Sequence, residues 1–255
     1  MNKIVFLTDL DDTLFSSARE GEMGPHVMTA QNGPHNLISP AQDMLFAMMR
    51  GAGEVIPVTA RSSDAFARVH LDFGTQRAIL ANGAILLDEK GLPDQDWFTH
   101  TAAIGRKVEE VMEGMVATIG DEFGGAALSW IVREYGEPVY FCVKMTTDDP
   151  EASKSGLLHA GLLLEERFDL SAFQQHVTTN SLSYTPVGIS KRDASLRLIS
   201  TLGERDQITL VGAGDSLTDV PFMRLCDFML APSGSQIARE ALRRSLTGDD
   251  GGGET

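Results

Sequence analysis

Apolar residues recur along the chain in short, uninterrupted runs that are separated by polar or glycine-rich stretches. The first run, residues 4–7, is continuously apolar and partly β-branched, which is typical of a strand buried on both faces of a parallel sheet. A run at residues 55–58 has the same character, and residues 78–80 form a shorter one. The pattern therefore predicts several parallel strands in the first third of the chain.

Helical segments are predicted between these runs. Ser39 and Pro40 are typical of an N-cap and a first helical residue, and Gln42 is placed to close a capping box. A second helix is predicted over residues 63–73. Before the first helix, residues 16–37 contain several Gly and Pro residues without a sustained period, which predicts a long loop or a small hairpin flap. Strands that alternate with helices indicate a doubly wound α/β domain.

This alternation stops after Asn82-Gly83, a strong turn signal. The region that follows predicts α+β structure: one long amphipathic helix with an apolar face from Ile104 to Ile119, a hairpin at 128–133 and 139–145 that turns at Gly136-Glu137-Pro138, a helix at 157–168 and a strand at 177–184. A mixed region of this size is typical of a domain inserted into another domain.

The α/β pattern resumes near residue 190. It predicts a helix at 190–202, strands at 208–211 and 228–230, and a last helix at 235–246. We therefore predict a Rossmann-like doubly wound parallel core made of residues 1–84 and 187–247, an inserted α+β domain at 85–186, and a disordered tail at 248–255.

Composition narrows the classes of partner. The 255 residues are 42% hydrophobic and 22% charged, which is ordinary for a globular protein and excludes wholesale disorder. Asp and Glu number 36 against 21 Lys and Arg, so the formal net charge is -15. A surface this acidic repels phosphate backbones and anionic lipids, which disfavours nucleic acid and membranes as partners. We expect a monomer or a weak homodimer.

Cysteine and histidine usage gives no sign of a disulfide framework or a zinc site. Cys142 and Cys226 lack a Cys-x-x-Cys spacing, which predicts buried apolar side chains in a reducing compartment. The six histidines show no His-x-x-x-His spacing. The first apolar run is too short for a signal peptide, and no stretch approaches the roughly 20 apolar residues of a membrane span. These features predict a cytoplasmic protein.

Polar residues follow directly after three predicted core strands. Asp9, Thr59 and Asp215 each stand past the carboxyl end of a strand, and in an open α/β sheet those ends share one edge, where ligands bind. Asp11 lies two residues after Asp9, so in an extended chain both carboxylates point to the same side. Close carboxylates repel unless a cation lies between them or one holds a proton, which suits a metal site or a nucleophile beside a general acid. An acidic turn that caps the next helix explains the segment equally well.

The other polar segments each have a chemical and a structural interpretation. The hydroxyl of Thr59 can donate to an anion, although simple N-capping of the next helix is the commoner arrangement. Lys191 is predicted in a first helical turn, where the macrodipole disfavours a cation unless an anion binds beside it; a solvated lysine is the alternative. Asp215 and Asp219 would face the same edge one helical turn apart, or would cap a helix.

Taken in this order, the segments resemble the four motifs of the haloacid dehalogenase-like hydrolases: Asp9-Leu10-Asp11-Asp12-Thr13, then Thr59, then Lys191, then Gly214-Asp215 with Asp219. The ordered set spans the whole predicted core and is far more specific than any one of its members. The insertion between the second and third motifs is similar to a cap domain of the C2 type. Its mix of helices and hairpins is similar to subclass IIB, which includes sucrose-phosphate phosphatase, Cof-type phosphatases and eukaryotic-type phosphomannomutases. Two positions depart from the pattern: Thr218 stands where many Cof-type relatives carry Asn, and Ala60 stands where Gly is common.

The resemblance implies a Mg²⁺-dependent phosphomonoester hydrolase that acts on a small phosphorylated metabolite, with a sugar phosphate as the first expectation. Asp9 would attack phosphorus and form an aspartyl-phosphate. Asp11 would protonate the leaving oxygen and then accept a proton from the attacking water. Mg²⁺ would be held by Asp9, the backbone carbonyl of Asp11, and Asp215.

The remaining motif residues would bind or orient the phosphoryl group, according to the same resemblance. Thr59, Lys191 and the backbone at Ala60 would bind the phosphoryl oxygens. The groups that contact the phosphoryl oxygens and the metal would be held in position by neighbouring side chains, those of Asp219, Thr13 and Thr218. Asp219 would orient Lys191 or a metal-bound water.

Four acids are predicted to gather at one edge of the sheet: Asp9, Asp11, Asp215 and Asp219. In a protein of net charge -15 they would repel an anionic substrate, so we expect Mg²⁺ to be required, with Lys191 and Arg61 beside it.

The sequence does not identify the substrate, and it is compatible with two other functions. A phosphosugar mutase would use the same Asp pair, and a non-catalytic phosphate-binding regulatory protein would need no Asp11. Several residues of the insertion have side chains suited to recognise a leaving group, although each is more often solvated or structural: Trp97, Trp130, Arg133, Lys144, His159, Arg167 and His176.

Overall fold

The computed structural model describes residues 3–17, 24–30, 33–178 and 181–247. The tail at 248–255, which we predict to be disordered, lies outside the described residues. The strands are β1 (Lys3–Thr8), β2 (Ser16–Ser17), β3 (His26–Ala30), β4 (Gly33–Leu37), β5 (Glu54–Pro57), β6 (Ala78–Leu80), β7 (Ile85–Leu87), β8 (Ala127–Glu134), β9 (Glu137–Met145), β10 (Phe173–Val177), β11 (Ser181–Pro186), β12 (Ile208–Ala213) and β13 (Phe228–Leu230). The helices are α1 (Pro40–Ala52), α2 (Ser63–Phe66), α3 (Gln95–Lys107), α4 (Glu109–Phe123), α5 (Pro150–Arg167), α6 (Lys191–Ile199), α7 (Val220–Met223) and α8 (Gln236–Thr247).

Contacts within the chain divide it into two compact units. The first comprises Met1–Gly83, Leu87–Leu92 and Lys191–Thr255, and the second comprises Ala84–Leu86 and Pro93–Ser190. The first unit is discontinuous in sequence, and most of the second unit is inserted between its parts. Within the described residues, every helix is too short or too polar to cross a bilayer.

The first unit is built on a parallel sheet in the order β13-β12-β1-β5. β1 pairs in parallel with both β12 and β5, and β6 continues the sheet beyond β5 through a bridge between Val58 and Ile79. Val5 and Leu7 of β1 are completely buried, as predicted for a strand that is covered on both faces. This sheet, together with the α+β insertion, confirms the predicted α/β fold class.

The start of α1 follows its sequence signal. Ser39 is the N-cap: its hydroxyl accepts a hydrogen bond from the amide of Gln42, and the Gln42 side chain accepts one from the amide of Ser39. Pro40 occupies the first helical position, where its missing N–H costs nothing. The capping box predicted from these residues is therefore confirmed.

The described part of residues 16–37 forms a small antiparallel sheet in the order β2-β4-β3, one of the two structures predicted for this stretch. The other edge of β3 is paired as well. The amide of Thr29 donates to the carbonyl of Arg68, and the amide of His70 donates to the carbonyl of Val27. This flap is thereby fastened to the segment that follows α2.

The helix predicted at residues 63–73 is shorter than expected. α2 ends at Phe66, and Val69 forms an antiparallel bridge with Met28 of β3. A backbone group that bonds across to a strand cannot also bond within a helix, so tertiary pairing overrides the local helical pattern. The prediction was wrong in this segment.

The second unit is an antiparallel sheet in the order β10-β11-β9-β8, and α4 and α5 pack on one of its faces. Its core is formed by apolar residues of α4 and α5 that meet the side chains of the sheet: Met112, Met115, Ile119, Phe141, Val143, Leu157, Leu164, Leu182 and Tyr184. This arrangement is the inserted α+β structure that the sequence predicts.

The long amphipathic helix predicted around residues 104–119 is two helices. α3 ends at Lys107 and α4 begins at Glu109, with Val108 between them at φ −118° and ψ 10°. The basic pair Arg106 and Lys107 closes one helix and acids open the next, which suits the dipoles of two helices better than that of one. The apolar face from Val108 to Ile119 lies in the core of this unit as predicted, but Ile104 is not among those core residues and the break was missed.

Two hairpins in this unit differ in detail from the prediction. β8 and β9 are joined at Tyr135 and Gly136, both with positive φ (50° and 87°), a two-residue turn that matches the twist of the strands. The sequence predicts this turn at residues 136–138, one residue too late. The single strand expected at 177–184 is instead a pair of antiparallel strands, β10 and β11.

Glu54 at the start of β5 provides a test of the first unit's stability. Burial alone would raise its pKa, but hydrogen bonds from Lys3, Thr75 and Arg77 hold the pKa of Glu54 below its usual value. A lowered folded-state pKa stabilises the protein above the usual pKa of about 4.5. That stability is lost as the pH falls through the lowered value.

We expect Glu54→Gln to reduce the free energy of unfolding by about 2 kcal/mol at pH 7, because two cations lose their shared partner. The deficit should shrink towards pH 3. Urea unfolding at both pH values measures it, with the exposed Glu89→Gln as the control. A deficit of equal size at both pH values would contradict the role of the charge.

Candidate active site

Asp9 stands at the buried carboxyl end of the central strand. Its amide donates to the carbonyl of Ala213 at 2.9 Å, which continues the pairing of β1 with β12. Its side chain is 8% exposed. Burial raises the pKa of Asp9 to about 8; the ammonium of Lys191 acts in the opposite direction, and the carboxylates of Asp219 and Asp11 add to the rise. The first predicted catalytic carboxylate therefore lies in a site that disfavours its negative charge unless cations surround it.

The chain turns sharply after Asp9. The carbonyl of Leu10 accepts hydrogen bonds from the amides of Thr13, Leu14 and Phe15, while Leu10 itself is completely buried. The turn brings the hydroxyl of Thr13 to 3.3 Å from Oδ2 of Asp9, to which it donates. Thr13 thus contacts the carboxylate it is predicted to support.

Lys191 links two carboxylates from distant parts of the sequence. Its Nζ donates to Oδ1 of Asp9 and to Oδ1 of Asp219, each at 2.7 Å. Burial would lower the pKa of Lys191, but the two carboxylates outweigh burial and raise it. Lys191 is the first residue of α6, and these anions remove the unfavourable placement of a cation in a first helical turn.

Asp219 is completely buried, and both of its oxygens are engaged. Oδ1 accepts from Lys191, and Oδ2 accepts from the amide and the hydroxyl of Ser216 at 3.1 and 2.7 Å. Burial would raise the pKa of Asp219, but the ammonium of Lys191 and the bonds from Ser216 keep it low. The hydroxyl of Thr218, a predicted supporting residue, lies 2.8 Å from that of Ser216.

Gly214 allows this close packing. A Cβ at position 214 would lie 2.6 Å from the Cβ of Asp219, closer than two carbon atoms can approach. The glycine of the fourth motif is therefore needed for space rather than for a positive φ.

Asp215 completes a cluster of three carboxylates. One oxygen each from Asp9, Asp215 and Asp219 lies within 4.8 Å of the other two. Burial raises the pKa of Asp215 to about 6, and the carboxylates of Asp219 and Asp12 contribute to the rise. The cluster thus carries more negative charge than Lys191 alone neutralises.

A hard divalent cation fits this donor set. Carboxylate oxygens are the ligands that Mg²⁺ prefers, and a second cation would relieve the raised pKa of both Asp9 and Asp215. Both oxygens of Asp219 accept hydrogen bonds from Lys191 and Ser216, and those of Asp9 accept from Lys191 and Thr13, so it is the cluster of three carboxylates as a whole that fits an ion.

Thr59 is completely buried just past the end of β5. The amide of Val58 donates to the carbonyl of Thr8 at 2.7 Å, so Thr59 and Asp9 leave adjacent strands side by side. The amide of Arg61 donates to the hydroxyl oxygen of Thr59 at 3.1 Å, which fixes the loop that contains Ala60. The hydroxyl hydrogen of Thr59 remains able to donate to another acceptor.

Arg61 has a larger part in the site than the sequence indicates. Its Nε and Nη2 donate to the two oxygens of Asp11 at 2.8 and 2.6 Å. Its guanidinium carbon lies 5.3 Å from the centroid of the Phe15 ring, and its Nη1 contacts the sulfur of Met28. The sequence predicts Arg61 only beside Lys191 and the Mg²⁺ site, because nothing local indicates a pairing across 50 residues.

The candidate residues of the second unit fall into three groups. Arg133 donates to Glu109, and His159 lies 3.2 Å from Glu122, so both have structural partners. Strand register places Trp130, Lys144 and His176 on the face of the sheet opposite the helical core. Trp97 packs against His100, and Arg167 lies in the last turn of α5.

No protein-family model and no curated protein matches this sequence. Solved structures do match. The sucrose-phosphatase of Synechocystis sp., solved with sucrose and phosphate, is 13% identical with a TM-score of 0.53, over 96% of this chain and 98% of that one. The C-terminal domain of trehalose-6-phosphate phosphatase from C. albicans is 12% identical with a TM-score of 0.50, over 100% and 80% of the two chains.

A third similar structure is the IMP-bound, N-terminally truncated IMP-nucleotidase of Plasmodium falciparum. It is 13% identical with a TM-score of 0.54, and the match covers 96% of this chain and 68% of that one. At these identities the likeness concerns the fold: a parallel α/β core that carries an inserted α+β region.

Proposed function

We propose that this chain, which has the fold of the haloacid dehalogenase-like hydrolases with a C2 cap, is a Mg²⁺-dependent phosphomonoester hydrolase. The observation that carries the proposal is the buried contact of Lys191 with both Asp9 and Asp219, beside the third carboxylate of Asp215. A structural ion pair needs one carboxylate, whereas this site gathers three at the end of a central strand. Such a concentration of charge at a sheet edge suits a cation and an anionic substrate.

Asp9 is the proposed nucleophile. One of its oxygens attacks phosphorus, the bond from phosphorus to the ester oxygen breaks, and an aspartyl-phosphate forms. Asp11 gives a proton to the departing oxygen, then accepts one from the water that hydrolyses the aspartyl-phosphate and releases inorganic phosphate. Two steps with a shared acid–base residue replace one difficult displacement.

Asp9, Asp215 and the backbone carbonyl of Asp11 would hold the Mg²⁺. When bound, the ion would supply the positive charge that keeps Asp9 a carboxylate and attracts the phosphoryl oxygens. This assignment agrees with the raised pKa of Asp9 and of Asp215, both of which a neighbouring cation would lower.

The remaining residues bind or orient the phosphoryl group. Lys191, the hydroxyl of Thr59 and the backbone at Ala60 are proposed to contact its oxygens, where charge redistributes in the transition state. Asp219 holds Lys191 in position, and Thr13 orients Asp9. Thr218 supports Ser216, which in turn bonds to Asp219.

A small phosphorylated sugar is the proposed substrate class, with residues 85–186 as the cap domain. Two of the three similar structures above are named for the phosphate esters of disaccharides. The exposed Trp130 and the charged Lys144 share one face of the sheet, and an aromatic ring beside a charged group suits a sugar.

We expect the purified protein to release inorganic phosphate from one or more members of a panel of sugar phosphates, with 4-nitrophenyl phosphate included as a general ester. Release should require Mg²⁺ and stop with EDTA, because the carboxylate cluster lacks a sufficient counter-charge without the ion. A colorimetric phosphate assay measures it. Adding Ca²⁺ or Zn²⁺ in place of Mg²⁺ is the control for a nonspecific need for divalent charge.

Two other outcomes of the panel would contradict the proposal. Phosphate transfer within a sugar, dependent on a bisphosphate activator and with little free phosphate, would identify a mutase. Binding of phosphate esters without turnover under any metal would identify a regulatory protein.

A further inference from the structure

Asp11 and Arg61 form a two-pronged ion pair in the first unit. The two oxygens of Asp11 accept hydrogen bonds from Nε and Nη2 of Arg61, at 2.8 and 2.6 Å. One edge of the guanidinium therefore binds the carboxylate in a bidentate manner. This geometry fixes both the position and the rotation of the carboxylate, which a single hydrogen bond would leave free to turn. The Arg61 side chain is 13% exposed, while Asp11 is 47% exposed and thus open to solvent on its other side.

The contacts around Arg61 hold its side chain in the position that bonds to Asp11. Its third nitrogen contacts the sulfur of Met28 in the flap, and its plane lies near the ring of Phe15. The edge formed by Nε and Nη2 is the edge that would grip a phosphate in a bidentate manner, and Asp11 occupies it. Arg61 is therefore placed to act on Asp11 rather than on the phosphoryl group.

The backbone that carries Arg61 is also fixed. Its amide donates to the hydroxyl oxygen of Thr59, and its carbonyl accepts from the amide of Ala81 at 2.7 Å. Ala81 is completely buried at φ 50°, a conformation that costs a residue with a Cβ on the order of 1 kcal/mol. The fold thus maintains a strained backbone at the contact that anchors the loop of Arg61.

We propose that Arg61 is a positioning residue that acts through Asp11 on the departure of the leaving group. The inference rests on the proposed function, in which the ester oxygen leaves as the P–O bond breaks and takes its proton from Asp11. Arg61 aims the Asp11 carboxyl group at that oxygen and takes no part in binding the phosphoryl group. The contribution of Arg61 should therefore depend on how much the leaving group needs a proton.

Two aryl esters separate these roles. The 4-nitrophenolate ion leaves readily without a proton, whereas unsubstituted phenolate needs one. The value of kcat/KM reports the steps up to the departure of the phenol, so the later hydrolysis of the aspartyl-phosphate does not enter. We expect Arg61→Gln to lower kcat/KM for phenyl phosphate about 100-fold, yet for 4-nitrophenyl phosphate by less than about 3-fold. Competitive inhibition by inorganic phosphate should stay unchanged.

Arg77→Gln is the matched control. Arg77 is buried to a similar extent (18% exposed), belongs to the same unit and pairs with Glu54, away from the proposed site. Its loss should leave the ratio of the two kcat/KM values at the wild-type ratio. Arg61→Lys keeps the charge but not the two-pronged geometry, so it should recover only a small part of the activity towards phenyl phosphate.

A second comparison tests the route through Asp11. In an Asp11→Asn background, Arg61→Gln should cause no further loss with phenyl phosphate, because the group that Arg61 positions is gone. Equal losses for both esters would overturn the inference, and so would a gain with phenyl phosphate, which is expected if Arg61 acts mainly by keeping Asp11 unprotonated. If inhibition by phosphate also weakened, Arg61 would be a phosphate ligand. If both esters lost activity equally and the unfolding temperature fell as in Arg77→Gln, Arg61 would be structural. A wild-type protein inactive on both esters would contradict the proposed function itself.

Discussion

Asp9→Asn should abolish phosphate release from every ester that the wild-type protein hydrolyses while the variant stays folded. An amide oxygen is too weak a nucleophile to form an acyl phosphate, so the first step has no substitute. We expect a fall in kcat on the order of 10⁴-fold or more. A phosphate assay over long incubations with excess Mg²⁺ measures the residual rate.

The fold of Asp9→Asn should survive because the substitution removes an unfavourably buried charge. Burial raises the pKa of Asp9 to about 8, so ionising this carboxyl group costs free energy in the folded protein. Lys191 keeps Asp219 as a partner in the variant. The unfolding temperature should therefore lie within a few degrees of the wild-type value, and Asp43→Asn on α1 is the control for an ordinary Asp-to-Asn change. An active, Mg²⁺-dependent Asp9→Asn protein would exclude Asp9 as the nucleophile.

Lys191→Met should both inactivate and destabilise the protein. Methionine has a similar length but no charge, so Asp9 and Asp219 would face each other without the ammonium that now bonds to both. Removing one partner of a buried ion pair costs about 3–5 kcal/mol. Urea unfolding at pH 7 measures this loss, and Lys154→Met on α5, at an exposed position, should change the stability by less than about 0.5 kcal/mol.

The pH dependence of Lys191→Met has a defined sign. Loss of the cation raises the folded-state pKa of the neighbouring carboxylates. When a carboxyl group has a raised pKa in the folded state, the free energy of unfolding of the protein falls as the pH rises through that value. The deficit relative to wild type should therefore be smaller at pH 5 than at pH 7. A deficit that is independent of pH, or below 1 kcal/mol at neutral pH, would contradict a central electrostatic role for Lys191.

The sequence predicts most of the first unit because its signals are local. An apolar run followed by Asp9, the capping box at Ser39, and the glycine before Asp215 each determine structure within a few residues. The parallel order of the strands then brings their polar ends to one edge of the sheet, without information from other proteins.

The pairing of Asp11 with Arg61 could not be predicted in this way. It depends on the register between β1 and β5, which sets Thr8 opposite Pro57 and carries the following residues into contact. The strained Ala81 and the bridge of Val69 to Met28 are likewise products of long-range pairing. Local propensity favours neither of them.

The break at Val108 has a different cause. The apolar positions on either side keep the same helical period, so the hydrophobic pattern continues across the break. Only the change from basic residues to acidic ones marks the boundary, and such a change also occurs within single helices that carry charge pairs.

The central position of β1 affects how the protein can be synthesised. β1 precedes the other strands of the parallel sheet in the chain, yet it lies between β5 and β12. A nascent chain therefore carries one open edge of its innermost strand until residues 208–213 have left the ribosome. Until then the growing chain is exposed to mispairing with other chains, and chaperone binding during translation would protect it.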